Sequence, residues 1–317
     1  MDKVSEAVKS IQEGVQQVFT SDKYMDFLKF MAQFHHYSYR NTMLIYAQKP
    51  DATYVAGFKA WKNMGYSVLK GEKGIGIFAP MLVKEKHEHV RKDEFDDIVL
   101  DDKGKPELME AETKRLHFRL VNVFDISQTN AEPPTLVSEL KGEDAKADCL
   151  MEAIKEISQF RICFANETTD EYLAIKKNAK GYCNSYMQQI VVRDDMSGIQ
   201  TTKTLLHEYA HSYFHSENFD RENNDSDRSL REIEAESTAY ILATYFGIDT
   251  SEYSMPYIAS WSHEKTEVLE NVLNNIQEKA HGLIDILEPV YNQKVQEYVL
   301  QNQELEAVTD RNTEYER

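Results

Sequence analysis

The 317-residue chain is 41% hydrophobic and 28% charged, apolar enough to bury a core and too apolar for wholesale disorder. Its net charge of -18 argues against a surface that attracts nucleic acid everywhere, and three cysteines without a CxxC pair, Cys149, Cys163 and Cys183, argue against a disulfide framework or a cysteine zinc cluster. No apolar run reaches the roughly 18 residues of a membrane span, and the first residues lack a basic-then-apolar signal pattern, so a cytoplasmic protein is expected.

In chain order, apolar residues recur at helical spacing from Val4 to Tyr46 and predict two or three helices, the first two parted near Asp22. A strand at 53–55 and a short helix over 58–64 follow, then a turn at 65–68 into extended chain punctuated by Gly71, Gly74 and Gly76. Segments 75–83 and 116–124 predict two strands, joined by a polar, exposed hairpin arm at 84–115. The stretch 127–147, with Asn130, Pro133, Pro134 and Gly142, has the composition of a linker. Beyond it the pattern predicts a helix over 149–158, a strand near 161–164, extended segments near Gly181 and Ile190, and helices over 201–214 and 230–246. An acidic helical tail, 262–317, reads as a packing or solvated appendage. The expected fold is therefore α+β, with a small N-terminal α+β domain (1–126), a linker (127–147), a second domain (148–261) and the helical extension.

Charge is unevenly spread: residues 20–86 hold ten Lys or Arg against five Asp or Glu. There, 36–45, 57–61 and 68–75 interleave aromatic and cationic side chains, a mixture that suits single-stranded nucleic acid because bases stack on rings while cations track phosphates. Packing of Phe58 and Trp61 into a core explains the same residues at least as well.

The most specific pattern is His207-Glu208-Tyr209-Ala210-His211. Histidines at i and i+4 on a helix project both imidazoles from one face, where one zinc ion per chain can bridge them. Glu208, about a hundred degrees round the helix, can reach a water on the metal without ligating beside the histidines, which is the position of a general base. A catalytic zinc needs a third protein ligand. Arg231-Glu232-Ile233-Glu234-Ala235-Glu236 opens a second amphipathic helix, on which Glu232 and Glu236 share one face. Glu232 is the expected ligand, Glu236 the expected acceptor that fixes a ligand histidine's tautomer, and Glu234 the less favoured alternative. A tyrosine among Tyr209, Tyr240 and Tyr245 is a conceivable oxyanion stabiliser, although packing explains each of them better.

HEYAH followed after twenty residues by REIEAE resembles the gluzincin pattern, with Glu236 where an Asp is common. It does not resemble a metzincin, because Tyr213, Phe214 and Glu217 stand where the glycine and third histidine would be, and His215 stays unassigned. Residues 181–182 and 189–192 resemble the zincin edge strand along which a peptide substrate can lie. The order of the N-terminal blocks, with KGEKG at 70–74 the most specific, resembles the single-stranded-DNA-binding domain of ArdC-type antirestriction proteins, whose members join it to a C-terminal zincin. The resemblance covers about 27–124 and 181–247. It implies binding of single-stranded DNA, protection of incoming mobile-element DNA from restriction, and zinc-dependent peptide hydrolysis at the C-terminal site. By position it makes Arg40, Asn41, Lys59, Trp61, Lys70 and Lys73 the candidate DNA contacts. Two other readings stay open. One is a cytoplasmic zinc protease that cleaves a particular regulator or repressor, as ImmA-type peptidases do. The other is a binding module with a structural metal, which has no use for Glu208.

Overall fold

The computed structural model describes residues 3–19, 23–132, 142–166, 169–171, 175, 179–215, 225–251 and 264–315. The fold is α+β. Three helices lead: α1 (Lys3–Phe19), α2 (Lys23–Gln33) and α3 (Tyr39–Gln48). On α1, Ile11, Val15 and Val18 fall at helical spacing and are buried. Two cores meet at α2: Phe27, Leu28 and Met31 enter the larger one, while Phe30 joins Phe34 and Ile45 beneath a sheet.

That sheet contains β1 (Val55–Gly57), β2 (Ile75–Val90) and β3 (Leu108–Asp125) in the order β1-β3-β2, all antiparallel, with α4 (Phe58–Asn63) leaving the end of β1. The strands run further than the sequence pattern suggests, pairing from Ile75↔Val123 out to Val90↔Leu108. Beyond Ala79 the two-stranded ribbon has mostly exposed side chains, so it lacks the one-sided apolar alternation by which a strand is recognised. At its base β2 is an edge strand, and α3 covers that edge. The Asn41 amide donates to the Phe78 carbonyl and accepts from the Phe78 N–H, both at 2.8 Å. Two turns along, Gln48 makes the same exchange with Gly76, at 3.0 and 2.9 Å. These side-chain amides take the place of the next strand. Gly74 enters β2 where a Cβ would lie 2.6 Å from Asn122 Cβ, a close approach that only glycine permits.

After β3, Asp125 caps the 3-10 turn Ile126–Gln128, and the Gln128 amide donates to the Glu72 carboxylate and the Lys73 carbonyl, both at 2.9 Å. The start of the expected linker is thus bonded back to the sheet; 133–141 lie outside the described residues.

Beyond it come α5 (Glu143–Ile157), β4 (Arg161–Ala165), β5 (Gly181–Asn184) and β6 (Gln189–Arg193), then α6 (Gly198–His215), α7 (Asp225–Tyr245) and α8 (Thr266–Tyr315). The second sheet has the order β4-β6-β5, with β6 parallel to β4 and antiparallel to β5. Residues 189–192 are therefore the central strand, buried throughout, which corrects their assignment to an edge; of the two segments, 181–184 takes an edge position, opposite β4. The larger core draws on α1, α2, α3, α5, β6, α6, α7 and α8 together, from both sides of the 127–147 stretch. On α8, Leu269, Val272, Leu273, Ile276, Leu283, Ile284 and Leu287 are all buried, each such side chain stabilising by roughly 1.5–3 kcal/mol. The first half of the C-terminal helix is thus structural core. No helix among the described residues is long and apolar enough to cross a membrane.

Candidate metal centre

Ser197 Oγ accepts from the Gln200 backbone N–H, an N-cap bond that starts α6, while Leu205, Leu206 and Ala210 anchor its inner face. Ala235, Ala239 and Ala243, four residues apart and buried on α7, keep that helix slim enough for close packing. The two helices bring His207, His211 and Glu232 together, their candidate ligand atoms within 4.8 Å of one another. His207 Nε2 lies 3.1 Å from His211 Nε2, and Glu232 Oε2 lies 3.5 Å from the first and 3.7 Å from the second. A tetrahedral zinc ion with ligands at about 2.0–2.1 Å needs ligand atoms roughly 3.3–3.4 Å apart. The observed triangle brackets that spacing, and two imidazoles with one carboxylate are a donor set suited to zinc, so the residues fit the ion. Glu236 Oε2 stands 3.0 Å from His207 Nδ1, on the far side of that ring, at ion-pair distance but without hydrogen-bond alignment. Glu234 is buried elsewhere, its Oε1 accepting from Asn275 Nδ2 at 3.4 Å.

The electrostatics follow from burial and proximity. Burial disfavours a charged His207, but the carboxylates of Glu232 and Glu236 at ion-pair distance and the nearby Glu208 outweigh it and raise this imidazole to about 10. Burial likewise works against a charged Glu232, yet His207 and His211 hold its carboxyl well below the usual range. Glu208 is 8% exposed; burial raises its carboxyl to about 7, His207 opposing the rise and Glu232 and Glu236 adding to it. Strand β5 lies directly against it. A Cβ on Gly181 would sit 2.7 Å from the Val191 carbonyl oxygen and 3.3 Å from Glu208 Cγ, so the strand passes this close only because residue 181 has no side chain. Burial, with the Glu208 charge, pushes the Cys183 thiol up to about 12, which keeps it protonated and unsuited to ligation. Of the three tyrosines, Tyr209 and Tyr240 are buried and Tyr245 donates to Glu288 Oε1 at 2.6 Å. The His215 side chain and Glu217 lie outside the described residues.

The N-terminal candidates divide. Arg40, Lys59, Lys70 and Lys73 are exposed. Trp61 is 1% exposed, its Nε1 donating to the Phe124 carbonyl at 2.9 Å, so as a DNA contact it is corrected: a buried ring cannot stack on a base. Asn41, half-buried, uses both ends of its amide on the backbone of Phe78, a structural task that explains it without DNA. Around Trp61 the rings of Tyr54, Phe58 and Tyr66 do reach the surface. Tyr54 and Tyr66 lie edge-on to Trp61 at centroid distances of 5.4 and 6.2 Å. Of the three exposed rings only Phe58 falls within the aromatic and cationic blocks of the sequence; Tyr54 and Tyr66 lie just outside them, and only packing tells which rings turn inward.

Residues 1–124 match the family model for the N-terminal domain of the anti-restriction factor ArdC. The likeness lies in the N-terminal 124 of the 317 residues. Among curated proteins, an uncharacterized protein of Bacillus anthracis is 28% identical over 318 residues, covering 90% of this chain and 52% of its own length; this chain thus spans about half the length of that relative. A metal-free crystal structure of the antirestriction protein ArdC from plasmid R388 is 19% identical, with a TM-score of 0.49, covering 81% of this chain and 86% of that one. The Mn(II)-bound structure of the same protein is 18% identical, with a TM-score of 0.45, covering 80% and 85%.

Proposed function

We propose that this ArdC-like chain is a single-stranded-DNA-binding antirestriction protein of a mobile element whose C-terminal half is a gluzincin-like zinc metallopeptidase domain. The observation that carries the enzymatic half is the triangle of His207, His211 and Glu232 beside a buried Glu208. These three side chains would hold one zinc ion per chain. When bound, the ion would acidify a water molecule and polarise a scissile carbonyl. Glu208 is the proton acceptor: burial keeps its pKa close to neutral, matched to taking a proton from water and returning it to a leaving amine. Glu236 stands at ion-pair distance from the Nδ1 side of His207, opposite the Nε2 that faces the other ligands, placed to take up that N–H when the ring ligates. The edge strand β5, lying against Glu208, supports binding of an extended peptide by strand addition.

For the N-terminal half, the exposed Tyr54, Phe58 and Tyr66 offer stacking faces, and Lys59, Lys70, Lys73 and Arg40 supply cations for phosphates. The test is chelator-sensitive cleavage of a mixed peptide library, read by mass spectrometry, alongside anisotropy of a labelled single-stranded oligonucleotide. Glu208→Gln is expected to abolish cleavage and leave oligonucleotide binding unchanged. Equal cleavage by Glu208→Gln and wild type would remove Glu208 from the mechanism; an oligonucleotide that stays free at low salt would remove the DNA-binding half.

A further inference from the structure

A second group of metal-ligating side chains lies at the corner between α2 and α3, where α8 crosses it. His35, His36, His281 and Asp285 each offer a ligand atom, and these atoms lie within 4.8 Å of one another. None of the four belongs to the first centre. The histidine rings are close neighbours: His35 and His36 have centroids 3.8 Å apart, and His281 lies 6.0 and 5.7 Å from them.

The corner is built, not accidental. Gln277, His281 and Asp285 are spaced by four residues and share one face of α8. Gln277 is 3% exposed and its amide donates to the carbonyls of Phe34 and Tyr37, both at 3.2 Å. It therefore clamps the corner one turn before His281. His35 is 6% exposed; its Nδ1 lies 3.2 Å from the Ala32 carbonyl, to which only a protonated Nδ1 can donate. That bond leaves the lone pair on Nε2, the tautomer a metal ligand requires. Among the described residues His35 Nε2 is buried with no hydrogen-bond partner, and His281 Nδ1 and Gln277 Oε1, on the residues that form this corner, are likewise buried and without one. Buried polar atoms are nearly always satisfied, so three at one place call for a ligand. Asp285 Oδ2 lies 3.3 Å from His281 Nε2, placed either to orient that ring or to turn its carboxylate inward.

We infer that His35, His36 and His281, with Asp285, form a second binding site for a divalent transition metal of the zinc type, separate from the His207 centre. Neutral imidazoles with one carboxylate select zinc-like ions over calcium or magnesium, which prefer all-oxygen shells. The ion would tie the α2–α3 corner, from which α3 runs to cover the edge of β2, to the helix that completes the larger core. Because His36 and Asp285 are exposed, the ion would exchange with solvent. The site carries no substrate chemistry and acts as a staple across the chain.

The test is zinc stoichiometry of the tag-free full-length chain, stripped with chelator, reloaded with zinc chloride and freed of excess by gel filtration. Two zinc ions per chain are expected in wild type, one in His207→Ala, one in His281→Ala and none in the double variant. In the His207→Ala background, added zinc is expected to raise the melting temperature, and further substitution of His281 to remove the rise. His36→Ala, at an exposed position, guards against misfolding and should weaken the second ion at least tenfold. The inference is overturned if wild type binds a single zinc that His207→Ala alone removes, or if folded His281→Ala and His36→Ala each keep the wild-type count. Failure of the first centre would show separately, as a count that His207→Ala leaves unchanged.

Discussion

Lowering the pH should expel zinc from the His207 centre far more steeply than an ordinary histidine site allows. Without an ion His207 is a protonated imidazole with a pKa of about 10, and its Nε2 must lose that proton to ligate. Between pH 8 and pH 6 the deprotonated fraction then falls by about 100-fold, equivalent to about 3 kcal/mol, whereas an imidazole with the usual pKa near 6.5 would lose only about fourfold over the same interval. Glu208, taking up its proton near 7, withdraws a negative charge beside the ion and acts in the same direction. The perturbation is pH alone, and the assay is competition against a zinc indicator at matched ionic strength, with His281→Ala as the background so that one class of site is read. A loss of about 100-fold or more is expected, and Glu232→Gln should both weaken binding at pH 8 and flatten the dependence, since the main acceptor that holds the proton on His207 is gone. A fourfold loss in the parent, or a dependence that Glu232→Gln leaves as steep, would refute the coupling of His207 to its carboxylates. The metal-free chain should show the opposite trend. A raised His207 and a raised Glu208 contribute stability that is present below their unfolded values, near 6.5 and 4.5, and lost as pH rises through about 10 and about 7. Its melting temperature should therefore fall from pH 6 to pH 9.

Trp61→Ala should destabilise the chain by roughly 3–5 kcal/mol, as loss of a fully buried aromatic does, seen as a lower urea midpoint; unchanged stability with lost DNA binding would restore Trp61 as a contact. Lys70→Ala with Lys73→Ala should reduce the salt slope of oligonucleotide binding by about 1.4, near 0.7 for each phosphate contact to a single strand, and Phe58→Ala should cost about 1–3 kcal/mol of affinity; salt titrations by anisotropy test both. Asn41→Ala leaves the Phe78 N–H and carbonyl without their partner and should lower stability by about 1–3 kcal/mol by urea denaturation, with oligonucleotide affinity measured on the folded protein unchanged.

The centre was legible because its geometry is local. Four residues separate His207 from His211, and four separate Glu232 from Glu236, so helix periodicity alone puts each pair on one face; that α6 and α7 then pack against each other is the step the structure adds. Trp61 was not legible, because an aromatic near lysines reads alike whether it stacks on a base or fills a core, and only the Phe124 carbonyl beside its Nε1 decides. Gln48 and Asn41 carry no cue either, since their task arises only where α3 crosses the free edge of β2. The central place of β6 did leave a trace: Ile190, Val191 and Val192 form an unbroken apolar run, typical of a strand covered on both faces. The His35 corner joins residues some 246 positions apart, as Gln277 and His281 of α8 meet the end of α2, and no periodicity reaches that far.

Anomalous diffraction at the zinc edge, from crystals of the zinc-loaded, tag-free chain, tests the central claim most directly. A peak is predicted at about 2.0–2.2 Å from His207 Nε2, His211 Nε2 and a Glu232 carboxylate oxygen, with Glu208 near the ion but outside bonding distance. A peak bonded to Glu234 or Glu236 in place of Glu232, or zinc absent from the paired histidines, would contradict it.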